Sequence, residues 1–132
     1  GRNAGFDFFV PEEFKEQVLL PFRNIVVQSG IKVRLPRRHV LIAFNKSGMS
    51  VKYGLQVGAC VIDENYTGEI HLDIHNIGSD NFTIYPNMKL IQFILFDQEY
   101  HNVKVIESEE KLYKDFNINE RGDKGFGSTG VR

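Results

Sequence analysis

The chain alternates short apolar runs with polar turn residues, a pattern typical of a protein built mostly from β-strands. His39–Asn45 is apolar, too short for a typical helix and bounded by polar residues, so it predicts a buried strand. Residues 68–76 alternate Ile and Leu with His and Asp, which predicts a strand with one face in water. Phe82–Pro86 and Lys89–Phe96 predict two more strands, joined by a turn at Pro86-Asn87.

Three further segments carry weaker patterns. Residues 24–36 contain two short β-rich runs divided by Ser29-Gly30, which predicts a bend or a hairpin. Residues 101–107 fit a further strand, and residues 11–18 fit either one helical turn or a loop. Many short strands separated by Gly, Pro and Asn predict an all-β barrel or sandwich.

Only one segment late in the chain predicts a helix. In residues 108–116, Ser108 is placed to cap the first turn, and Leu112 and Phe116 share a face at i, i+4 spacing. The sequence therefore predicts an all-β fold with at most one short helix.

Size and charge limit the classes of function. The chain has 132 residues, enough for one domain with a modest core, and its net charge of −1 does not favour an electrostatic binder of DNA or RNA. The single cysteine, Cys60, excludes an internal disulfide framework and is typical of a reducing compartment. No apolar run approaches the roughly 18 residues that a membrane span needs, so no membrane association is expected.

Two loops contain residues suited to bind a metal or a phosphate. Asp7 follows a glycine closely, and its carboxylate suits either a metal and its water or a turn in which it accepts backbone N–H bonds. Residues 45–55 follow a strand with a lysine, a serine and a glycine, the groups that a phosphate cradle needs. An ordinary polar turn fits the second loop equally well, since the G-x-x-x-x-G-K pattern of the P-loop is absent.

A third loop, residues 60–69, places Asp63, Glu64 and Tyr66 in a polar turn between apolar strands. A carboxylate beside a phosphate can orient or deprotonate water, and a nearby tyrosine can stack on a sugar or a base. The alternative is a hairpin with a solvated acid cluster. The histidines show no ligand spacing and are interpreted as solvent-facing: His39, His71, His75 and His101.

The end of the chain has an unusual composition. Residues 121–130, RGDKGFGSTG, contain four glycines, two cations, two hydroxyls and one phenylalanine. Such a composition is typical of a flexible tail. It also suits a clamp that becomes ordered on a ligand, because glycine N–H groups and hydroxyls bind anions and a Phe can cover a flat ring.

Five short motifs follow one another along the chain. They are Ala4-Gly5-Phe6-Asp7, Lys46-Ser47-Gly48 with Lys52-Tyr53-Gly54, Val61-Ile62-Asp63 with Tyr66-Thr67-Gly68-Glu69, Lys89-Leu90-Ile91-Gln92, and Arg121 to Gly130. Their order and spacing resemble those of the homotrimeric deoxyuridine triphosphatase (dUTPase) family. The resemblance spans essentially the whole chain, and five motifs in order are far more specific than any one of them.

The chain departs from the family pattern at five positions. Lysine replaces the usual arginine at two of them, which keeps the charge and loses the bidentate guanidinium fork. Proline, glycine and aspartate are usual at the other three. The five positions are Lys46, Lys89, Asn45, Cys60 and Asn65. The segment between Gln92 and Arg121 is also longer than usual, and the strand that normally precedes the first motif is absent from this sequence. These departures indicate a divergent member of the family or one encoded by a virus or phage.

The resemblance implies an enzyme that uses Mg²⁺ to hydrolyse dUTP to dUMP and pyrophosphate, lowering dUTP and supplying dUMP for thymidylate synthesis. It implies that Asp63 activates the attacking water, that Asp7 holds a water of the Mg²⁺ shell and that Arg121 reaches the γ-phosphate. Tyr66 would pack under the deoxyribose and exclude a 2′-hydroxyl. The implied substrate-binding residues are Lys46, Ser47, Gly48, Cys60, Val61, Asp63, Tyr66, His71, Gln92, Arg121, Phe126, Gly127, Ser128 and Thr129.

The resemblance also implies an architecture. Residues 1–120 would form a dUTPase-like β-barrel or jelly-roll domain, and residues 121–132 a flexible tail that closes the site. Three copies would form a homotrimer in which each site takes its third motif from one subunit, its first, second and fourth from another, and its tail from the last. The expected location is the cytoplasm, or the host cytoplasm for a virus-encoded protein, without direct contact to nucleic acid.

Two alternatives on the same fold stay open. A dCTP deaminase would need a different acid and room for water at the cytosine amino group, whereas Tyr66 followed by Gly68-Glu69 resembles the dUTPase form. A non-catalytic, nucleotide-binding signalling module is the second alternative, although the chain keeps the catalytic side chains apart from its two lysine replacements.

Overall fold

The computed structural model describes residues 3–99, 103–115, 122–123 and 130. The chain divides into two compact units, residues 1–98 and 99–132. Within the described residues the first unit carries nine strands and one helix, and the second carries one short helix. The strands are β1 (Phe6–Phe9), β2 (Gln17–Leu19), β3 (Asn24–Gln28), β4 (His39–Asn45), β5 (Leu55–Gly58), β6 (Val61–Ile62), β7 (His71–Asn76), β8 (Phe82–Ile84) and β9 (Lys89–Asp97), and the helices are α1 (Ser47–Tyr53) and α2 (Glu109–Leu112).

Three antiparallel sheets build the first unit. Their strand orders are β1-β9-β4-β6, β2-β8 and β3-β7-β5. Strands that are distant in sequence become neighbours, since β9 pairs with both β1 and β4. This pairing brings the first and fourth sequence motifs side by side, next to the strand that leads into the second motif.

The core follows the alternation of the sequence. Ile70, Leu72 and Ile74 are buried, whereas the histidines of β7 lie on the opposite face of the strand. Such alternation is what an antiparallel strand with one solvated face requires. The all-β class and the strands around residues 39–45, 71–76, 82–84 and 89–97 are therefore confirmed.

The prediction of at most one short helix is wrong, because the described residues contain two. The second motif forms α1 instead of an irregular loop. Gly54 ends this helix in the left-handed region at a φ of 69°, and a Cβ there would lie 2.7 Å from the Cα of Gly78. The left-handed C-cap and the close approach of two backbones together explain the glycine of Lys-x-Gly.

Two other segments differ from their predicted form. Residues 31–36 form no strand, although the Ile70 N–H donates to the Ile31 carbonyl at 2.9 Å. The hairpin that was the alternative for residues 60–69 does not form, because the strands on either side belong to different sheets: β6 pairs with β4, and β7 pairs with β3 and β5. Residues 11–16 form a loop with a turn, not a turn of helix, and residues 17 and 18 belong to β2.

The second unit contains α2. Ser108 caps this helix, and its hydroxyl accepts the N–H of Lys111 at 3.3 Å, as the sequence predicted. The helix is shorter than the predicted segment, and Phe116 lies outside the described residues. Residues 103–107, the described part of the predicted strand at 101–107, form no strand. No helix among the described residues is long and apolar enough to cross a membrane.

Candidate active site

Three of the predicted site residues come together at one end of the four-stranded sheet. Asp7 of β1 lies opposite Gln92 of β9 in the strand register. The Lys46 Nζ, at the end of β4, lies 2.5 Å from the Asp7 Oδ1. Both side chains of this ion pair are partly buried, which lessens the screening of their charges by water. The first, second and fourth motifs therefore form one cluster of polar side chains.

A hydrogen-bond network connects this cluster to the neighbouring strands and to α1. The Gln92 side-chain amide donates to the Asn45 carbonyl at 2.9 Å. The Asn45 side chain donates to the Gln56 Oε1 at 2.6 Å and accepts the Val57 N–H at 2.8 Å. The Gln56 amide donates in turn to the Ser50 hydroxyl of α1 at 2.8 Å. Four elements, β9, β4, β5 and α1, are thus tied together at the point where the second motif begins.

Ser47 and Gly48 form the first turn of α1 and are exposed. Lys46 occupies the N-cap position in an extended conformation, and no side chain caps the first turn of this helix. The first N–H groups of a helix have no partner within it. The lysine, the hydroxyl and these N–H groups consequently stand at the same exposed edge.

The third motif lies in a separate turn that follows β6. Asp63 is exposed, and its carbonyl accepts the Tyr66 N–H at 3.1 Å to close the turn. The Glu64 carboxylate accepts the Arg38 N–H at 2.8 Å, which ties the turn to the segment before β4. The backbone on either side of Asp63 is therefore fixed, while its carboxylate is open to solvent.

Tyr66 lies against the glycine of its own motif. Its hydroxyl donates to the Glu69 carbonyl at 2.6 Å. A Cβ on Gly68 would lie 2.5 Å from the Tyr66 hydroxyl oxygen and 2.7 Å from Cζ, so a larger residue would displace the ring. The Glu69 carboxylate accepts the Gly30 N–H at 2.7 Å and anchors the turn to the bend after β3. These contacts give a physical reason for the Tyr-x-Gly-Glu spacing.

Three other residues that the resemblance implied for substrate binding flank this turn. Cys60 packs against the hydrophobic core and its carbonyl accepts the Ala43 N–H at 2.9 Å. Val61 is exposed on β6. The exposed His71 begins β7, and its Nε2 lies 3.7 Å from the Glu69 carboxylate.

The third motif is far from the Lys46 cluster within one chain. Because Ile42 lies opposite Val61 in the antiparallel register, the next residues bring Asp63 level with Val40. Lys46 comes six positions after Val40, a separation of about 20 Å at the usual rise of a β-strand. A single copy therefore does not bring Asp63 to the polar cluster.

The outward face of the four-stranded sheet joins these two regions. Residues that are paired on neighbouring strands point to the same side of the sheet. Asp7 and Gln92 therefore lie on the same face as Val61, and apolar residues of β4 and β9 occupy the part of the face between these two regions. Phe44 and Phe96 are 38% and 40% exposed, with ring centroids 6.1 Å apart. The apolar residues of this outward face are Ile42, Phe44, Val61, Ile94 and Phe96, together with Val40, which is buried.

Five predicted substrate-binding residues belong to the tail and lie outside the described residues: Arg121, Phe126, Gly127, Ser128 and Thr129. The described residues contain no group of three or more His, Cys, Asp or Glu side chains that could hold a metal ion.

Comparison with known proteins identifies the family. The family model named dUTPase matches residues 1–130. The chain belongs to the dUTPase family. The resemblance seen in the five sequence motifs is thereby confirmed.

The dUTPase relatives come from viruses and bacteria. The chain is 35% identical to the Pol polyprotein of equine infectious anemia virus over 98% of its own length but only 10% of that polyprotein. It is 34% identical to a Clostridium novyi protein named deoxyuridine 5'-triphosphate nucleotidohydrolase, covering 98% of this chain and 85% of the relative.

Solved dUTPase structures share the fold. The native EIAV dUTPase has a TM-score of 0.70 at 29% identity, covering 81% of this chain and 85% of that one. A Staphylococcus bacteriophage 80alpha dUTPase has a TM-score of 0.78 at 24% identity, covering 98% and 87%. The dUTPase-like fold predicted from the motifs is confirmed.

Sequence reasoning missed the residues that support the site. Gln56 lies in none of the five motifs, and Asn45 differed only in replacing the proline that is usual in dUTPases. Both are polar residues at strand ends, a signal too common to indicate a network. The two residues come within hydrogen-bonding distance only in the folded chain, where the end of β4 lies next to β5.

Proposed function

We propose that this chain hydrolyses dUTP to dUMP and pyrophosphate. The observation that carries the proposal is the cluster of Asp7, Lys46 and Gln92, which assembles three dUTPase motifs from distant parts of the chain. A polar cluster of this composition at an exposed edge suits a charged ligand such as a triphosphate.

Asp63 would act as the general base. It would accept a proton from water while the water oxygen bonds to the α-phosphorus and the bond from that phosphorus to pyrophosphate breaks. The exposure of its carboxylate and the fixed backbone of its turn support this role.

The phosphate chain would be held by Lys46, Ser47, Gly48 and Gln92. The Lys46 ammonium has three N–H donors and gives one to Asp7, and the Gln92 amide has two and gives one to the Asn45 carbonyl. The remaining donors would stabilise the negative charge that moves onto pyrophosphate.

Asp7 would hold a water of the Mg²⁺ shell. Mg²⁺ usually keeps several waters and is bound through one or two carboxylates, so a single carboxylate such as Asp7 would suit this role. A dUTPase from phage phi11 of S. aureus is described with a structural Mg(II) ion. Bound Mg²⁺ would supply neutralisation of the phosphate charge.

Tyr66 would discriminate deoxyribose from ribose. The ring is held against Gly68 and by the bond from its hydroxyl to Glu69, so it cannot easily move to admit a 2′-hydroxyl. Cys60, Val61 and His71 flank this turn and would bind the uracil edge.

Each site would be shared between copies in a homotrimer. The separation of about 20 Å between Asp63 and Lys46 along the strands means that a second copy must supply one of them. The apolar outward face that lies between them would be the interface, because burying it removes Phe44 and Phe96 from water.

Residues 121–132 would form a flexible tail, distinct from the β-barrel domain of residues 1–120, that closes the active site. Arg121 would reach the γ-phosphate, Phe126 would cover uracil, and Gly127, Ser128 and Thr129 would wrap the phosphates. Closing the site against water would favour the step in which charge moves.

A pyrophosphate-release assay with dUTP, dCTP, dTTP and UTP in the presence of Mg²⁺ tests the proposal. We expect turnover of dUTP well above that of the other three. Ammonia release from dCTP would instead indicate the deaminase, and binding of dUTP without turnover would indicate the signalling module. Either result would overturn the proposed hydrolysis.

A further inference from the structure

We propose that Asn45 is a positioning residue that holds the phosphate-binding segment Lys46–Gly48 in place. This inference rests on the proposed function for its kinetic test, although the geometry that motivates it does not. Asn45 is the last residue of β4, immediately before the segment that it would position.

The backbone carbonyl and the side chain of Asn45 form hydrogen bonds to different strands. Its carbonyl accepts from Gln92 at 2.9 Å, which fixes the end of β4 against the fourth motif on β9. Its side chain accepts from the Val57 N–H at 2.8 Å and donates to Gln56 at 2.6 Å, which fixes the same point against β5. One residue therefore connects two sheets at the start of the second motif.

The connection continues into α1. The Gln56 amide donates to the Ser50 hydroxyl at 2.8 Å, and the Ser50 N–H donates to the Lys46 carbonyl at 2.9 Å. Lys46 is thus held from both sides, by its covalent bond to Asn45 and through Gln56 and Ser50. Its ammonium lies 2.5 Å from the Asp7 Oδ1, so a shift of this stretch of backbone would change that contact.

The other contacts of α1 are partial. Met49 packs against the core and the Tyr53 ring centroid lies 5.0 Å from that of Phe82, but no residue of α1 is buried and no side chain caps its first turn. The network around Asn45 adds a constraint at the start of the segment. A helix of seven residues is not stable by itself. A displacement of about 1 Å in a substrate-positioning group can reduce a rate by about 100-fold. The Asn45 side chain is therefore placed to control how well the cradle binds phosphate.

The test compares Asn45→Ala with Gln56→Met and with the double variant. Asn45→Ala removes the bonds of the Asn45 side chain to Gln56 and to the Val57 N–H, while Gln56→Met removes the bond from Asn45 to Gln56 and the link from Gln56 to Ser50 of α1 but leaves the Val57 bond in place. Ile84→Val is the control, since Ile84 is fully buried and its strand β8 pairs only with β2, in a different sheet from β4, β5 and β9. It should lower the melting temperature without touching the network.

Three quantities are measured for each variant: the melting temperature, kcat and KM for dUTP with Mg²⁺, and binding of inorganic triphosphate by calorimetry. We expect Asn45→Ala to reduce kcat/KM about tenfold or more, chiefly through KM, and to weaken triphosphate binding. Gln56→Met should have a smaller effect, and the double variant should lose less than the two single losses combined, because the variants break a shared bond.

Several outcomes would overturn the proposal. If Asn45→Ala lowers only the melting temperature, as Ile84→Val should, then Asn45 is structural and does not position the cradle. Additive losses in the double variant would contradict a connected network. If the wild type does not hydrolyse dUTP, the proposed function fails, and weaker triphosphate binding by Asn45→Ala would still support the positioning role. Equal triphosphate binding in that case would reject both.

Discussion

Replacing Phe96 by alanine tests whether the outward face of the four-stranded sheet joins one copy of the chain to another. Phe96 is 40% exposed in the single chain, although it lies among apolar neighbours of that face. If another copy covers it, the substitution should weaken assembly. Since the shared-site proposal makes assembly a condition of catalysis, activity should fall with it.

The size of the effect follows from the area. A phenylalanine presents about 200 Å², so 40% corresponds to about 80 Å² and to about 2 kcal/mol of apolar burial. With three copies in the trimer, the lost burial is about 6 kcal/mol, which corresponds to about 10⁴-fold in the association constant of the trimer. This is an upper value, because ordering the side chains at the interface opposes association.

Sedimentation velocity and dUTP turnover per chain, both over a dilution series, measure the effect. The wild type should keep constant turnover per chain, whereas Phe96→Ala should dissociate and lose turnover as it is diluted. Tyr85→Ala is the control, because Tyr85 is 46% exposed in the turn between β8 and β9, outside the outward face. An undiminished assembly of Phe96→Ala at all concentrations would refute the assignment of the interface.

Two other predictions concern the third motif and the tail. Gly68→Ala should bring its Cβ into the Tyr66 ring and reduce the preference for dUTP over UTP, measured as the ratio of the two kcat/KM values; an unchanged ratio would remove Tyr66 from sugar selection. Truncation after Glu120 should leave a folded assembly by circular dichroism and sedimentation while turnover falls much more than nucleotide binding, because the tail acts mainly as charge moves onto pyrophosphate. Unfolding on truncation would make the tail structural, and full activity would make it dispensable.

The strands could be predicted because their pattern is local. Burial of Ile70, Leu72 and Ile74 on one side of β7 follows directly from alternation along the chain. The pairing of β1 with β9 could not be predicted in this way, because it joins residues 80 or more positions apart and depends on the whole fold.

The helix α1 shows where local reasoning was insufficient. Its sequence contains a glycine and a β-branched valine, and its first turn has no acidic residue, so propensity favoured a loop. Tertiary contacts decide otherwise: Gly54 supplies the left-handed C-cap, and Ser50 is bonded to Gln56.

The candidate site was predictable to the extent that its chemistry is carried by motifs. Asp7, Lys46 and Gln92 meet as the motif order implied, but Asn45 and Gln56 were not visible as supports. A hydrogen bond between two strands of different sheets leaves no periodic trace in the sequence. Such bonds can be found only after the strands have been placed.

Mixing two inactive variants tests the sharing of the site most directly. Asp63→Asn removes the proposed base, and Lys46→Ala removes the proposed phosphate ligand, so each variant alone should be nearly inactive. In a trimer that joins Asp63 of one copy to Lys46 of the next, a random equal mixture should contain intact pairs at about one quarter of its sites. Pyrophosphate release from dUTP, with differently tagged copies to verify mixed assemblies, should therefore recover to about one quarter of the wild-type rate. Mixed assemblies without any recovery would show that Asp63 and Lys46 act within one chain, which contradicts the shared site.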